Sequence, residues 1–183
     1  MTETEISKFL SLVLRHKPET IGIQLDPNGW ADVDTLIDSA NNRGIKLDKK
    51  TLMHVVETNS KKRFAFNDCF SKIRASQGHS VEIELGYSAQ KPPEILYHGT
   101  GEKSVISILE TGLNKRSRQH VHLSSDMETA VKVGRRHGKP VVFRVLSGKM
   151  HDDKFDFFLS DNGVWLTDNV PARYLEADSE YNR

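Results

Sequence analysis

Cys69 is the only cysteine in the chain. A single thiol excludes an internal disulfide and any paired-cysteine metal or redox motif, and it argues for a reducing compartment. Long apolar runs are missing too. No stretch approaches the ~20 apolar residues that a membrane span needs, and the opening Met-Thr-Glu-Thr-Glu has neither the basic start nor the apolar core of a secretory signal, so no membrane partner and a cytoplasmic location are expected. An excess of one charge is also lacking: 26 Lys and Arg stand against 25 Asp and Glu, a net charge of +1. Nothing global therefore attracts a nucleic acid. The chain contains no GxSxG, GxGxxG or P-loop lysine motif and no outstanding pair of carboxylates, and Cys69 has no histidine in a matching pattern. Catalysis by a nucleophilic side chain is not expected.

What is present is an ordinary globular composition, 37% hydrophobic and 28% charged over 183 residues, enough for one domain or two small ones. Positive charge is clustered locally, at Lys61-Lys62-Arg63, at Lys115-Arg116 with Arg118, and at Arg135-Arg136, so a patch can hold a polyanion where the whole surface cannot.

Thr2 and Glu5 have capping-box spacing, and Ile6, Phe9, Leu10, Val13 and Leu14 follow with helical period. That helix ends at Arg15-His16 before Lys17-Pro18, where cationic side chains suit the helix dipole. Asp32 is expected to cap a second helix and Asp48 a third. Strands at 63–66 and 70–74 around Asn67-Asp68 then make a hairpin, with Phe64 and Phe66 turned inward. Three helices and a hairpin suggest a winged-helix module. Its third helix, 49–59, carries Lys49, Lys50, His54 and Glu57, and lacks the Arg, Asn and Gln that read base edges. The charge sits on the hairpin instead.

Gln77-Gly78-His79-Ser80 is a polar loop, and a Pro-ending polar stretch near 87–93 reads as a linker between lobes 1–86 and 94–183. Ile95 to His98 reads as a strand running into Gly99-Thr100-Gly101, small residues that let backbone approach a ligand closely, with Ser104 expected to cap the next helix. From Arg116 to Asp126 the chain alternates. As a strand it sends Val121 and Leu123 to a core and Arg118, His120, His122 and Ser124 to the other face. Ser125 and Glu128 have capping-box spacing for a further helix. Strands at 141–145, 155–159 and 164–167, the last two joined by Asp161-Asn162-Gly163, complete a mixed α+β lobe.

A polar strand face with a guanidinium and imidazoles is either solvated or a site for an anion, a metal or a cofactor. His98, His120, His122 and His137 are metal-ligand types, but Arg118, Arg135 and Arg136 lie on the same segments. Guanidiniums repel a divalent cation and attract phosphate, so an anion site without metal is the expectation.

Seven motifs now stand in order: Leu-Arg-His-Lys-Pro at 14–18, Gly-Trp-Ala-Asp-Val at 29–33, Lys-Arg-Phe at 62–64, Ile-Arg-Ala-Ser-Gln-Gly-His-Ser at 73–80, Leu-Tyr-His-Gly-Thr at 96–100, Arg-Gln-His-Val-His-Leu-Ser at 118–124 and Asn-Gly-Val-Trp-Leu at 162–166. Together they closely resemble the NAD-dependent RNA 2′-phosphotransferase family, the tRNA-splicing 2′-phosphotransferases. The resemblance implies a winged-helix RNA-binding lobe followed by an ADP-ribosyltransferase-like lobe that holds NAD as co-substrate. It implies a two-step reaction on an internal 2′-phosphate of RNA, such as spliced tRNA: the phosphate attacks the nicotinamide ribose and expels nicotinamide, then the neighbouring ribose hydroxyl attacks phosphorus. The products are 2′-hydroxyl RNA and ADP-ribose 1″,2″-cyclic phosphate, formed through an ADP-ribosylated RNA-phosphate intermediate. The family's catalytic set falls on Arg15, His16, Arg63 and Arg118. The NAD side falls on His98, Gly99, Thr100, His122 and Ser124, with Arg135 or Arg136 near the pyrophosphate. A monomer is expected. Three other readings compete: ADP-ribosylation of terminal phosphates on nucleic acid, a non-catalytic winged-helix binder whose second lobe senses NAD, and a metal-dependent hydrolase.

Overall fold

The computed structural model describes residues 1–177; the end of the second expected lobe, 178–183, lies outside the described residues. The chain forms two compact units, Met1–Gly86 and Tyr87–Arg183. Helices and small antiparallel sheets are mixed in an α+β arrangement. No helix among the described residues is long and apolar enough to cross a membrane.

The first unit begins with α1 (Glu3–Arg15), where the Thr2 hydroxyl accepts from the Glu5 N–H and the Glu5 carboxylate accepts from the Thr2 N–H. Both expected aspartate caps are in place. After the short strand β1 (Ala31–Asp32), Asp32 caps α2 (Val33–Asn42) through the Thr35 N–H, and Asp48 caps α3 (Lys49–Glu57) through the Thr51 N–H. Each cap satisfies an amide that the helix itself leaves unbonded, worth about 1 kcal/mol. Strands β2 (Phe64–Phe66) and β3 (Lys72–Ala75) complete an antiparallel sheet in the order β1-β3-β2, with Ala31 and Phe66 both opposite Ile73.

Leu10, Val13, Leu14, Leu36, Leu52 and Ile73 are buried together under this sheet and the helices. Each such side chain removed from water contributes about 2 kcal/mol. The hairpin turn is longer than the sequence suggests, and its second strand starts at Lys72 rather than Phe70. Asn67 explains the shift: its N–H donates to the Lys72 carbonyl and its side-chain oxygen accepts from the Lys72 N–H, while Phe70 adopts a left-handed φ of 56°.

The second unit contains β4 (Leu96–Gly101), α4 (Val105–Thr111), β5 (Leu113–Asn114), β6 (Val121–Leu123), α5 (Met127–Gly134), β7 (Pro140–Val145) and α6 (Ser147–Asp152). They are followed by β8 (Phe158–Leu159), β9 (Trp165–Thr167), β10 (Asn169–Val170) and β11 (Leu175–Ala177). Three antiparallel sheets result, β11-β7-β4, β6-β9-β8 and β10-β5. The first two are joined at one point, where Tyr97 and Ser124 exchange backbone hydrogen bonds of 2.9 and 2.8 Å. Phe143, Val145, Met150, Phe157 and Tyr174 form its buried core.

Several local expectations are corrected here. The strand expected over 116–126 survives only at Val121–Leu123. A turn precedes it, closed by the Arg118 N–H on the Lys115 carbonyl, and Arg116 has a φ of 53° that no strand accepts. Asp126, not Ser125, caps α5, accepting from the Thr129 N–H; a carboxylate beside the positive end of the helix dipole outcompetes a hydroxyl one residue earlier. Ser104 occupies the cap position of α4 but its side chain makes no capping bond, because a 3₁₀ turn over Glu102–Ser104 leads into the helix. The strand expected over 155–159 is confined to Phe158–Leu159.

Candidate active site

In the first unit the site grows from the C-terminal end of α1. Arg15 is half-buried and His16 exposed. The end of a helix leaves carbonyls unbonded and carries partial negative charge, so it favours both a loop that donates to it and cationic side chains. The loop after β3 supplies the donors: the Ser80 and Val81 N–H groups reach the Arg15 carbonyl at 2.9 and 3.3 Å. Ser80 also places its hydroxyl 3.0 Å from His16 Nδ1. One residue thus holds both members of the Arg-His pair. Arg15 Nη2 donates to the Arg63 carbonyl at 3.5 Å, and the Ser76 N–H donates to the same carbonyl at 2.9 Å. Arg63 enters β2 directly after Lys62, whose φ of 41° marks a tight left-handed turn. Arg15, His16 and Arg63 therefore come together.

Arg74, His79 and Ser80 lie in the motif at 73–80, but the sequence assigned none of them a place in the site. Arg74 lies 4.5 Å over the Trp30 ring. His79 is 1% exposed, and neither ring nitrogen has a hydrogen-bond partner among the described residues. Burial, reinforced by Arg15, His16 and Arg74, pushes its pKa from 6.5 to about 3.

A histidine protonated at 6.5 when unfolded and only near 3 when folded makes the unfolded state the stronger proton binder. The stability it allows is complete above the unfolded pKa and is lost as pH falls toward the folded one. At about pH 5 this single ring costs about 2 kcal/mol. A His79→Leu variant, which removes two unpartnered nitrogens at similar volume, is expected to keep its neutral-pH stability and to lose that part of the acid sensitivity. Urea midpoints at neutral and mildly acidic pH measure this; parallel pH profiles for the two proteins contradict it.

In the second unit, Arg118 lies in the exposed turn before β6, not on the strand, yet its Nη1 still reaches His122 Nδ1 at 2.8 Å. His98 on β4 approaches from the other side, with Nδ1 3.2 Å from the His122 carbonyl oxygen. The Tyr97–Ser124 bridge brings these strands into register. Burial holds the His98 pKa below its ordinary value, partly opposed by that carbonyl. His120 does not share this cluster; its ring packs 5.9 Å from that of Phe158, and burial lowers its pKa too.

Gly99 and Thr100 are buried in β4. A Cβ on Gly99 would overlap the Ala130 carbonyl oxygen, so the absent side chain serves the close approach of α5 to β4. Arg135 and Arg136 are exposed on a 3₁₀ turn that follows α5, Arg135–His137. Among the described residues no group of three or more His, Cys, Asp or Glu side chains is arranged to hold a metal ion.

Each unit thus carries cationic side chains with imidazoles beside them, a combination suited to phosphate. Residues 1–169 match the family described as RNA 2′-phosphotransferase, Tpt1 / KptA family. The chain belongs to this family. Its relatives there include a probable RNA 2′-phosphotransferase of Flavobacterium johnsoniae, 59% identical over 95% of this chain and 96% of that protein. Another, from Trichormus variabilis, is 53% identical over 94% and 95%. One from Fusobacterium nucleatum is 46% identical over 95% and 98%. The match spans residues of both units.

Proposed function

We propose that the protein removes an internal 2′-phosphate from RNA by transferring it to NAD, in the cytoplasm and as a monomer. The observation that carries this reading is the convergence of Arg15, His16 and Arg63 in a chain that matches the family over residues 1–169. The first unit is read as a winged-helix RNA-binding lobe and the second as an ADP-ribosyltransferase-like lobe.

In the first step a 2′-phosphate oxygen bonds to the anomeric carbon of the nicotinamide ribose as the bond to nicotinamide breaks. In the second, the adjacent ribose hydroxyl bonds to phosphorus as the bond from phosphorus to the RNA 2′-oxygen breaks, giving 2′-hydroxyl RNA and ADP-ribose 1″,2″-cyclic phosphate. Both steps run through phosphate, and the second gathers extra negative charge on its oxygens. Arg15, Arg63 and Arg118 supply fixed guanidinium donors to that charge, which stabilise the transition state more than the ground state. His16 protonates the departing RNA oxygen as its general acid. His98, Gly99, Thr100, His122 and Ser124 hold NAD, with Arg135 or Arg136 meeting the pyrophosphate. No metal enters this scheme, and activity is expected to survive a chelator.

Incubation with labelled NAD and either 2′-phosphorylated or 5′-phosphorylated oligonucleotides tests the proposal. The expected result is nicotinamide release that requires the 2′-phosphate, with the label leaving the RNA as ADP-ribose cyclic phosphate. Label retained on a 5′-phosphorylated strand instead favours ADP-ribosylation of terminal phosphates, and binding without nicotinamide release favours a non-catalytic role.

A further inference from the structure

Arg15 and His16 project from the end of α1, but Arg63 leaves from the turn at 59–62, which has no apolar side chain to bury. The β2–β3 pairing ends at Phe64 opposite Ala75, one residue short of it. Ser60, Lys61 and Lys62 are exposed, and Lys62 has a left-handed φ of 41°. A lysine keeps such a φ only where its surroundings impose it. Polar contacts therefore have to set the path of this turn.

Asn59 supplies them on one side. Its backbone carbonyl accepts from the Lys62 N–H at 2.8 Å, and its side-chain oxygen accepts from the Arg63 N–H at 3.4 Å. A peptide N–H only donates, so the side-chain oxygen faces Arg63 and the amide nitrogen faces away. That nitrogen donates to Ser7 Oγ, 3.1 Å away on the buried face of α1. Ser76, 1% exposed, supplies them on the other side. Its hydroxyl donates to the Lys62 carbonyl at 3.1 Å while its N–H holds the Arg63 carbonyl at 2.9 Å. The peptide groups of Arg63 are thus tied to α1 twice, through Asn59 to Ser7 and through Arg15 Nη2. The helix that carries Arg15 and His16 also sets where the Arg63 side chain begins.

We infer that Asn59 and Ser76 are positioning residues for Arg63: they clamp the turn at Lys62 so that the Arg63 guanidinium starts from a fixed point beside Arg15 and His16. The inference rests on the proposed role of Arg63 toward the transferred phosphate. Both clamps act on backbone atoms, so neither needs to touch the RNA. A donor helps a transition state only if it is in place beforehand, and a displacement of about 1 Å can cost about a hundred-fold in rate.

Turnover of NAD and a 2′-phosphorylated oligonucleotide by the full chain tests this in two backgrounds. Asn59→Ala and Ser76→Ala are each expected to lower kcat about ten-fold, to leave the KM for NAD unchanged and to move the melting temperature only slightly. In an Arg63→Ala background, followed with labelled RNA, the same substitutions are expected to cost nothing further, because no guanidinium is left to position. Equal losses in both backgrounds, a loss confined to KM, or full activity in both single variants overturns the inference. Ser76→Ala removes one oxygen only, so it carries the comparison if Asn59→Ala does not fold.

Amide hydrogen exchange reads the clamp without turnover. The Arg63 N–H is expected to exchange slowly in the unsubstituted chain and faster in Asn59→Ala. Unchanged exchange at Arg63 overturns the inference even when the chain is active, and leaves the functional reading standing. Faster exchange in a chain that releases no nicotinamide before substitution removes the functional reading, and with it the role of the clamp but not the clamp itself.

Discussion

Replacement of Arg118 by alanine is expected to lower production of 2′-hydroxyl RNA by about a hundred-fold or more, the loss typical of deleting one preorganised donor to a charged transition state. Two effects combine. In the proposed reaction the truncated side chain no longer offers a guanidinium to the transferred phosphate, and His122 loses the donor 2.8 Å from its Nδ1. Because the proposed second step gathers the greater negative charge on the phosphate oxygens, the variant is expected to accumulate ADP-ribosylated RNA rather than merely to slow. Separation of labelled RNA species over time distinguishes the two outcomes. Arg118 is exposed in a turn, so its removal should leave the melting temperature nearly unchanged, and lost activity then reports chemistry rather than folding. Arg118→Lys keeps the charge but not the planar fork of donors, and only partial recovery is expected. Turnover at the unsubstituted rate in the alanine variant rejects the assignment.

Gly99→Ala is expected to cost about 3 kcal/mol or more, enough to unfold much of a domain whose total stability is about 5–15 kcal/mol. An alanine Cβ would overlap the Ala130 carbonyl oxygen and approach the Gly134 amide nitrogen at 3.0 Å. Both atoms are α5 backbone, which cannot swing aside as a side chain can. Nor can β4 retreat, since it is paired with β7 from Leu96 to Gly101. Chemical denaturation followed by circular dichroism measures the loss; a midpoint equal to that of the unsubstituted chain shows that the helix–strand contact is looser than described. The adjacent His98 should lose its contact with the His122 carbonyl as this strand shifts, so the NAD binding proposed for this unit is expected to fall with stability.

The helix caps at Thr2 with Glu5, Asp32 and Asp48 were readable from sequence because each is a hydrogen bond between residues three apart, decided by local geometry. Asp126 competed with Ser125 within the same local window, and only the backbone entering α5 settled which one caps. Helix α6 gave no such signal. Ser147-Gly148 is a poor start for a helix, and what holds it is distant: the Ser147 hydroxyl donates to the Pro93 carbonyl at 2.7 Å and the Gly148 N–H to the Glu94 carbonyl at 3.0 Å.

The site divides in the same way. Motif order by itself pointed to the family, and the guanidiniums and imidazoles carried by five of the seven motifs pointed to phosphate, without coordinates. Alternation along 116–126 held for Val121 and Leu123, which are buried, and not for Arg118, which sits in a turn, or His120, which packs on Phe158, yet Arg118 and His122 still meet. Only the tertiary structure decided that Nδ1 of His16, His98 and His122 is engaged, that Ser80 holds both Arg15 and His16, and that the His79 ring nitrogens are buried without hydrogen-bond partners among the described residues. The physical reason is separation along the chain. A partner three residues away is set by backbone dihedrals, whereas Ser80 reaches His16, and His98 reaches the His122 carbonyl, only after two elements have packed.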